Sequence, residues 1–105
     1  MPRSKLVYSP LAQRDLDGIH DYIALELENP SAAAETVEDI LAAAESLEEF
    51  PLMGSLVNEL PFVSDEYRFL PVRNYLVFYR AAADRVFIDR ILYKRRDYLP
   101  LLGPQ

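Results

Sequence analysis

The sequence predicts an α+β fold, with an N-terminal helical hairpin packed on a small sheet. Three observations predict it. Apolar residues recur at three- and four-residue spacing through the first half, strand-like runs rich in β-branched and aromatic residues fill the second, and the change of period follows Gly54. At 105 residues the chain reads as one domain, 1–105, long enough to bury roughly two-thirds of its unfolded surface.

Each element has its own warrant. Lys5 to Tyr8 is a short apolar run, read as an edge strand. Ser9-Pro10 starts a helix: a hydroxyl cap, then a proline where the missing N–H costs nothing. Ala12, Leu16, Ile19, Ile23 and Leu27 form the apolar stripe of a first helix over about 10–28. Asn29-Pro30 ends it and opens a second, over about 31–49. Its stripe is Ala33, Val37, Ile40, Leu41, Ala44 and Leu47, with Glu35, Glu38, Asp39, Glu45, Glu48 and Glu49 on or beside the outer face. So short a connection pairs the helices antiparallel, and the alanines at 32–34 and 42–44 permit close approach. Phe50-Pro51-Leu52-Met53-Gly54 reads as a helix exit with a glycine turn. Residues 55–66 lack a clear period and read as a surface loop or frayed strand. Strands are expected at 67–72, 75–80 and 86–93, with Ala81 to Asp84 joining the last two as antiparallel neighbours. Pro71 hints at an edge or a bulge, and residues 95–102 suffice for a single helical turn.

Composition narrows the function classes. The absence of cysteine excludes disulfides, thiolate chemistry and zinc–sulfur sites, and a single histidine excludes sites needing two imidazoles. No metal or cofactor is expected. With no membrane-length apolar run and no signal-peptide core, the sequence points to the cytoplasm, away from any membrane. The net charge of −6 argues against a general nucleic-acid binder. That charge is uneven, however. Residues 1–66 hold fourteen acids and three bases, whereas residues 67–105 hold three acids and eight bases. Charges are screened over about 8 Å at physiological salt, so a basic face can act on its own sign in a domain whose radius of gyration is about 13 Å.

Four groups of residues are candidates for function. His20, between Ile19 and Ile23, is either a general base with Asp17 or Asp21 beside it or, more commonly for such a position, a partly buried helix residue. Asp15, Asp17 and Asp21 are spread around their helix by their spacing and make a poor metal cluster. Arg90 lies mid-strand, with Val86, Ile88 and Leu92 on its face by alternation; it is either paired with an acid from the hairpin or aimed into a cleft. The sharpest feature is Tyr93-Lys94-Arg95-Arg96 with Tyr98. Such a cluster serves charged binding, a solvated terminus, or RNA cleavage. Cleavage needs a base, an acid and cations around the phosphate, and lysine, near pKa 10.4, must shift by about three units to act as base at pH 7.

The succession of these pieces resembles the RelE/ParE superfamily of bacterial toxins from type II toxin–antitoxin pairs. The resemblance rests on Ser9-Pro10-Leu11-Ala12 with Asp15-Leu16 and Ile19, then Tyr22-Ile23, Asn29-Pro30-Ser31-Ala32-Ala33 and the Phe50 to Gly54 exit. Tyr67 to Val72, Asn74 to Arg80 and Ile88 to Asp97 complete it. It implies a hairpin on a mainly antiparallel, twisted sheet, and a cognate antitoxin that wraps and neutralises the toxin in a hetero-oligomer. Ribonuclease members cut messenger RNA on the ribosome; ParE-like members inhibit DNA gyrase.

The sequence departs from the ribonuclease pattern. Leu76 stands where those members tend to carry arginine, the loop before Tyr67 is acidic (Glu59, Asp65, Glu66), and Tyr93 stands where many relatives have histidine. These departures favour a gyrase inhibitor that performs no chemistry, with Arg68, Arg90, Tyr93, Lys94, Arg95 and Arg96 as target or antitoxin contacts. The alternative is a ribosome-dependent endoribonuclease with Lys94 as base, Arg68, Arg90 and Arg95 as phosphate clamps, and Tyr93 or Tyr98 as acid. A binding-only, non-toxic member is the third reading.

Overall fold

A computed structural model describes residues 3–57, 67–95 and 99–102. Two helical segments pack on a five-stranded open sheet in the order β1-β5-β4-β3-β2. The elements are β1 (Lys5–Tyr8), α1 (Pro10–Asp21) continued by a π-helical turn (Tyr22–Glu26), α2 (Pro30–Ser46), β2 (Ser55–Leu56), β3 (Tyr67–Val72), β4 (Tyr75–Ala82), β5 (Arg85–Tyr93) and α3 (Leu99–Leu102). All pairings are antiparallel except β1 with β5, which is parallel. Among the described residues, no helix is long and apolar enough to cross a membrane.

The helix starts follow the capping signals. Ser9 Oγ accepts from Ala12 N at 2.9 Å, Asn29 Oδ1 accepts from Ala32 N at 3.1 Å, and a proline follows each cap. Ser9 also donates its hydroxyl to Asp89 O at 2.7 Å, so the same residue that starts α1 ties it to β5.

The first helix does not run as one α-helix to residue 28. After Asp21 the ladder widens, Leu27 N reaching Tyr22 O at 3.1 Å, and Glu28 takes φ 51° to turn the chain. The extra residue in this last turn carries Leu27 out of the stripe expected of it. Leu25 and Leu27 are 72% and 56% exposed.

Apolar burial falls on both faces of the sheet. Under the helices, Ala12, Ile19, Ala33, Ile40 and Ala44 pack with Val77, Tyr79, Val86, Ile88 and Ile91. A second cluster joins Val57, Tyr67, Leu76, Phe78, Leu92 and Leu102 of α3. β4 supplies alternate residues to both, which is why its run from Leu76 to Tyr79 is continuously hydrophobic.

Alternation along β5 is broken. Phe78 pairs with Arg90 but Tyr79 pairs with Ile88, so Asp89 is an extra residue in that strand. Ile88 and Ile91, three apart, therefore share one cluster while Leu92 joins the other; the even spacing of Val86, Ile88, Arg90 and Leu92 does not place them on one face. The β4–β5 connection is also shorter than Ala81 to Asp84. Both strands extend inward, leaving Ala83 (φ 50°) and Asp84 as the turn. Pro71 sits on β3 beyond the reach of β2, which pairs only with Arg68 and Phe69. That is the unpaired edge where a missing N–H is harmless.

Candidate functional site

β5 ends beside the start of β4, and the exposed Lys94 and Arg95 follow its last residue. Tyr93 pairs with Tyr75 across the ladder, their rings edge-on with centroids 5.7 Å apart. Burial, with Tyr93 and Tyr22 nearby, pushes the Tyr75 hydroxyl above its ordinary range. Lys94 N donates to Asn74 O at 2.9 Å, closing the ladder and fixing the direction in which the chain leaves. Tyr93 is 40% exposed. Lys94 and Arg95 are exposed and have no ion pair among the described residues. Arg96 and Tyr98, singled out with them in the sequence, lie outside the described residues, as do Glu59, Asp65 and Glu66.

Arg90 and Arg68 are elsewhere and otherwise engaged. Arg90 donates through Nε and NH2 to the Asp15 carboxylate at 2.9 and 3.0 Å, and Ile91 N donates to the same carboxylate at 2.9 Å. Both side chains are mostly buried, and the bond to Asp15 holds the guanidinium charged against the opposing effect of burial. β1 ends opposite Ile88, so Asp15 and Ser9 satisfy the edge groups of β5 that β1 no longer covers. Arg68 donates through NH1 to Gly54 O at 2.7 Å and Leu52 O at 3.2 Å, while its buried Nε has no partner among the described residues. Gly54 N in turn donates to the Tyr79 hydroxyl at 2.8 Å. A Cβ at Gly54 would lie 2.7 Å from both Phe69 O and that hydroxyl, so glycine is required by close approach. Phe50, Leu52 and Met53, all exposed, precede this clamp and line one shallow apolar surface with Pro51.

A cleft of about 660 Å³ opens between α1, the π-turn and the Tyr75/Tyr93 pair. Its floor is Ile19, Ile23 and Ile91, and its walls include Gly18, Tyr22, Tyr75 and Tyr93. Arg14 and Arg73 stand at its margin. Arg73, at φ 54° in the β3–β4 turn, donates through Nε to Asp39 at 2.7 Å and reaches Thr36 at 3.4 Å, pinning the turn to α2. Arg14 is exposed without an ion pair among the described residues.

Lys94 stands in solvent. His20 is outside the cleft and exposed, not partly buried, with Nδ1 3.6 Å from Asp21. Tyr67 is buried and donates its hydroxyl to Asp89 at 2.7 Å; burial first, then that bond, raise it far above the ordinary phenol range. Among the described residues, no three His, Asp or Glu side chains come together to hold a metal ion.

Sequence reasoning missed Arg14, Gly18, Tyr22, Arg73 and Tyr75 as members of a common cleft. Only Gly18 carried a signal, being a glycine inside an otherwise helical pattern.

Comparison with known families matches residues 6–98 to the family described as ParE toxin of type II toxin-antitoxin system, parDE. Among solved structures, a chain of the chromosomal ParDE TA system from P. aeruginosa superposes with TM-score 0.69 at 25% identity, over 87% of this chain and 96% of that one. A chain of the E. coli DinJ-YafQ toxin-antitoxin complex has the same fold, with TM-score 0.58 at 14% identity, over 96% of this chain and 99% of that one. Comparison with curated proteins gives no match.

Proposed function

Because the chain belongs to the ParE toxin family of type II toxin–antitoxin systems, we propose that it arrests growth in the cytoplasm by binding DNA gyrase, and that a cognate antitoxin neutralises it in a hetero-oligomer. On this reading it performs no chemistry of its own. Tyr93, Lys94, Arg95 and Arg96 make the direct contacts, and Arg68 and Arg90 hold in place the strands that present them.

One observation carries the choice of gyrase over messenger RNA. The ribonuclease reading needs Arg68 and Arg90 as phosphate clamps, yet Arg90 is bound by Asp15 and Arg68 by the Gly54 and Leu52 carbonyls. Freeing Arg90 would leave a buried carboxylate unpaired, at a cost of about 3–5 kcal/mol. Phosphate contacts from the remaining cations position RNA without moving a proton.

The test compares the two targets directly. Purified protein should inhibit gyrase supercoiling, and Lys94→Ala should weaken that inhibition only a few-fold, because a binding patch spreads its energy over several residues. Ribosome-bound messages should stay intact. Codon-positioned cuts abolished by Lys94→Ala or Tyr93→Phe alone would instead establish an endoribonuclease.

A further inference from the structure

On the sheet face away from α1 and α2, Leu102 of α3 packs with Leu76, Phe78 and Leu92. The other end of that face, beside the β4–β5 turn, belongs to neither apolar cluster. It carries Lys5 and Val7 of β1, Arg85 and Phe87 of β5, and Arg80 and Ala82 of β4. Alternation puts them there, because Leu6, Val86 and Ala81 between them pack into the core under the helices.

Three exposed cations meet at this corner. The parallel register sets Lys5 directly opposite Arg85, and Arg80 lies in the next row, opposite Phe87. Like charges directly opposite one another destabilise a strand pair, so folding gains nothing from setting Lys5 against Arg85. The acids of these strands do little to offset them. Asp84, its carboxylate 4.0 Å from Arg85, is mostly exposed, and Asp89 already accepts the Tyr67 hydroxyl. Glu66, next in sequence to Tyr67, lies outside the described residues. Lys5 and Arg80 have no ion pair among the described residues.

The aromatic content of the corner narrows the ligand. Single-stranded nucleic acid is held by rings on which its bases stack. Phe87, the one aromatic of these six residues, is half-buried and carries the Arg80 guanidinium 5.6 Å from its ring centroid. What remains is positive charge on a sheet surface, which suits phosphates contacted without reading bases.

We infer that this corner binds the phosphate backbone of double-stranded DNA, with Lys5, Arg80 and Arg85 each on a phosphate. Screening over about 8 Å lets it act on its own sign in an acidic chain. β5 begins here and ends at Tyr93, so the corner is separate from the Lys94–Arg95 exit. The inference rests on these charges and not on the choice of gyrase as target.

The experiment titrates the whole toxin against a short labelled DNA duplex at low salt, read by fluorescence anisotropy. Two duplexes of unrelated sequence should bind alike, with log affinity falling against log salt at a slope of about −2.7 for three phosphates. Lys5→Gln should weaken both equally and reduce the slope by about one. Because it removes a like-charge opposition, it should melt no lower than the parent. Arg80→Gln should change the slope in the same way, whereas the Lys94→Ala/Arg95→Ala double variant should bind as the parent does. No binding at low salt, or an unchanged slope in Lys5→Gln, overturns the assignment. So does binding lost in the double variant, or tighter binding to a single strand or to phosphatidylserine vesicles than to the duplex. Gyrase is absent from the assay, so each of these results leaves the reading of the toxin's target untouched.

Discussion

The middle and the exit of β5 handle positive charge in opposite ways. At Asp89–Arg90 the charges are part-buried and engaged: Arg90 lies on the Asp15 carboxylate, and Asp89 accepts the Tyr67 hydroxyl. Four residues on, Lys94 and Arg95 stand in solvent with no ion pair among the described residues. A count of bases treats these positions alike. Their partners make one set part of the fold and leave the other available to another molecule.

The most severe way to break the contrast is to empty the carboxylate at the middle. Asp15→Ala leaves Arg90 charged and mostly buried without its hydrogen-bonded carboxylate and strips Ile91 N of its acceptor, so urea denaturation should show a loss of about 3–5 kcal/mol. Tyr67→Phe removes a buried bond to a carboxylate and should cost about 1.5–3 kcal/mol at neutral pH. It has a second signature at high pH. The folded pKa of Tyr67 is raised above the ordinary 10.0, so its contribution is fully present below pH 10 and declines as pH rises toward the folded value, because the unfolded chain ionises first. Alkaline melts of Tyr67→Phe should therefore decline less steeply above pH 10 than those of the parent.

Gly54→Ala tests the second engaged arginine. Its methyl would press on Phe69 O and the Tyr79 hydroxyl, displacing the turn that Arg68 holds, and the loss should be about 1–3 kcal/mol by the same denaturation assay. The smallest effect sharpens the comparison. Lys94→Ala and Arg95→Ala should leave stability within about 0.5 kcal/mol of the parent, so that any change they cause in the proposed target binding is separable from folding. A stability loss like that of Asp15→Ala would erase the distinction between the two parts of β5.

Much of this architecture was legible because its signals are local. Ser9-Pro10 and Asn29-Pro30 cap and start the helices where they stand, and the apolar runs of β4 and β5 lie where their composition places them. An acid from the hairpin for Arg90 was a reasonable expectation, since a guanidinium amid apolar strand residues needs one. The failures are non-local or turn on a single inserted residue. Asp89 shifts the register, and nothing in a period-two reading distinguishes an added residue from an ordinary one. Arg68 looked like a free cation because its acceptors are backbone carbonyls, which are the same whatever the side chains at 52 and 54. The cleft draws its walls from α1, the π-turn, α2 and three strands or their turns, so no window of sequence contains it.

The parallel pairing of β1 with β5 has a consequence for synthesis. Lys5 to Tyr8 leave the ribosome first, but their partners are Arg85 to Ile88, eighty positions later. Contacts so distant in sequence close slowly, and domains emerge N-terminus first at about 5–20 residues per second. The helical hairpin is thus exposed for several seconds before the strand it packs on exists. A chain interrupted before residue 85 has no β5, no Arg90 to meet Asp15 and no basic exit. Ribosome-bound intermediates of this length should be protease-sensitive throughout, and harmless to the cell that makes them.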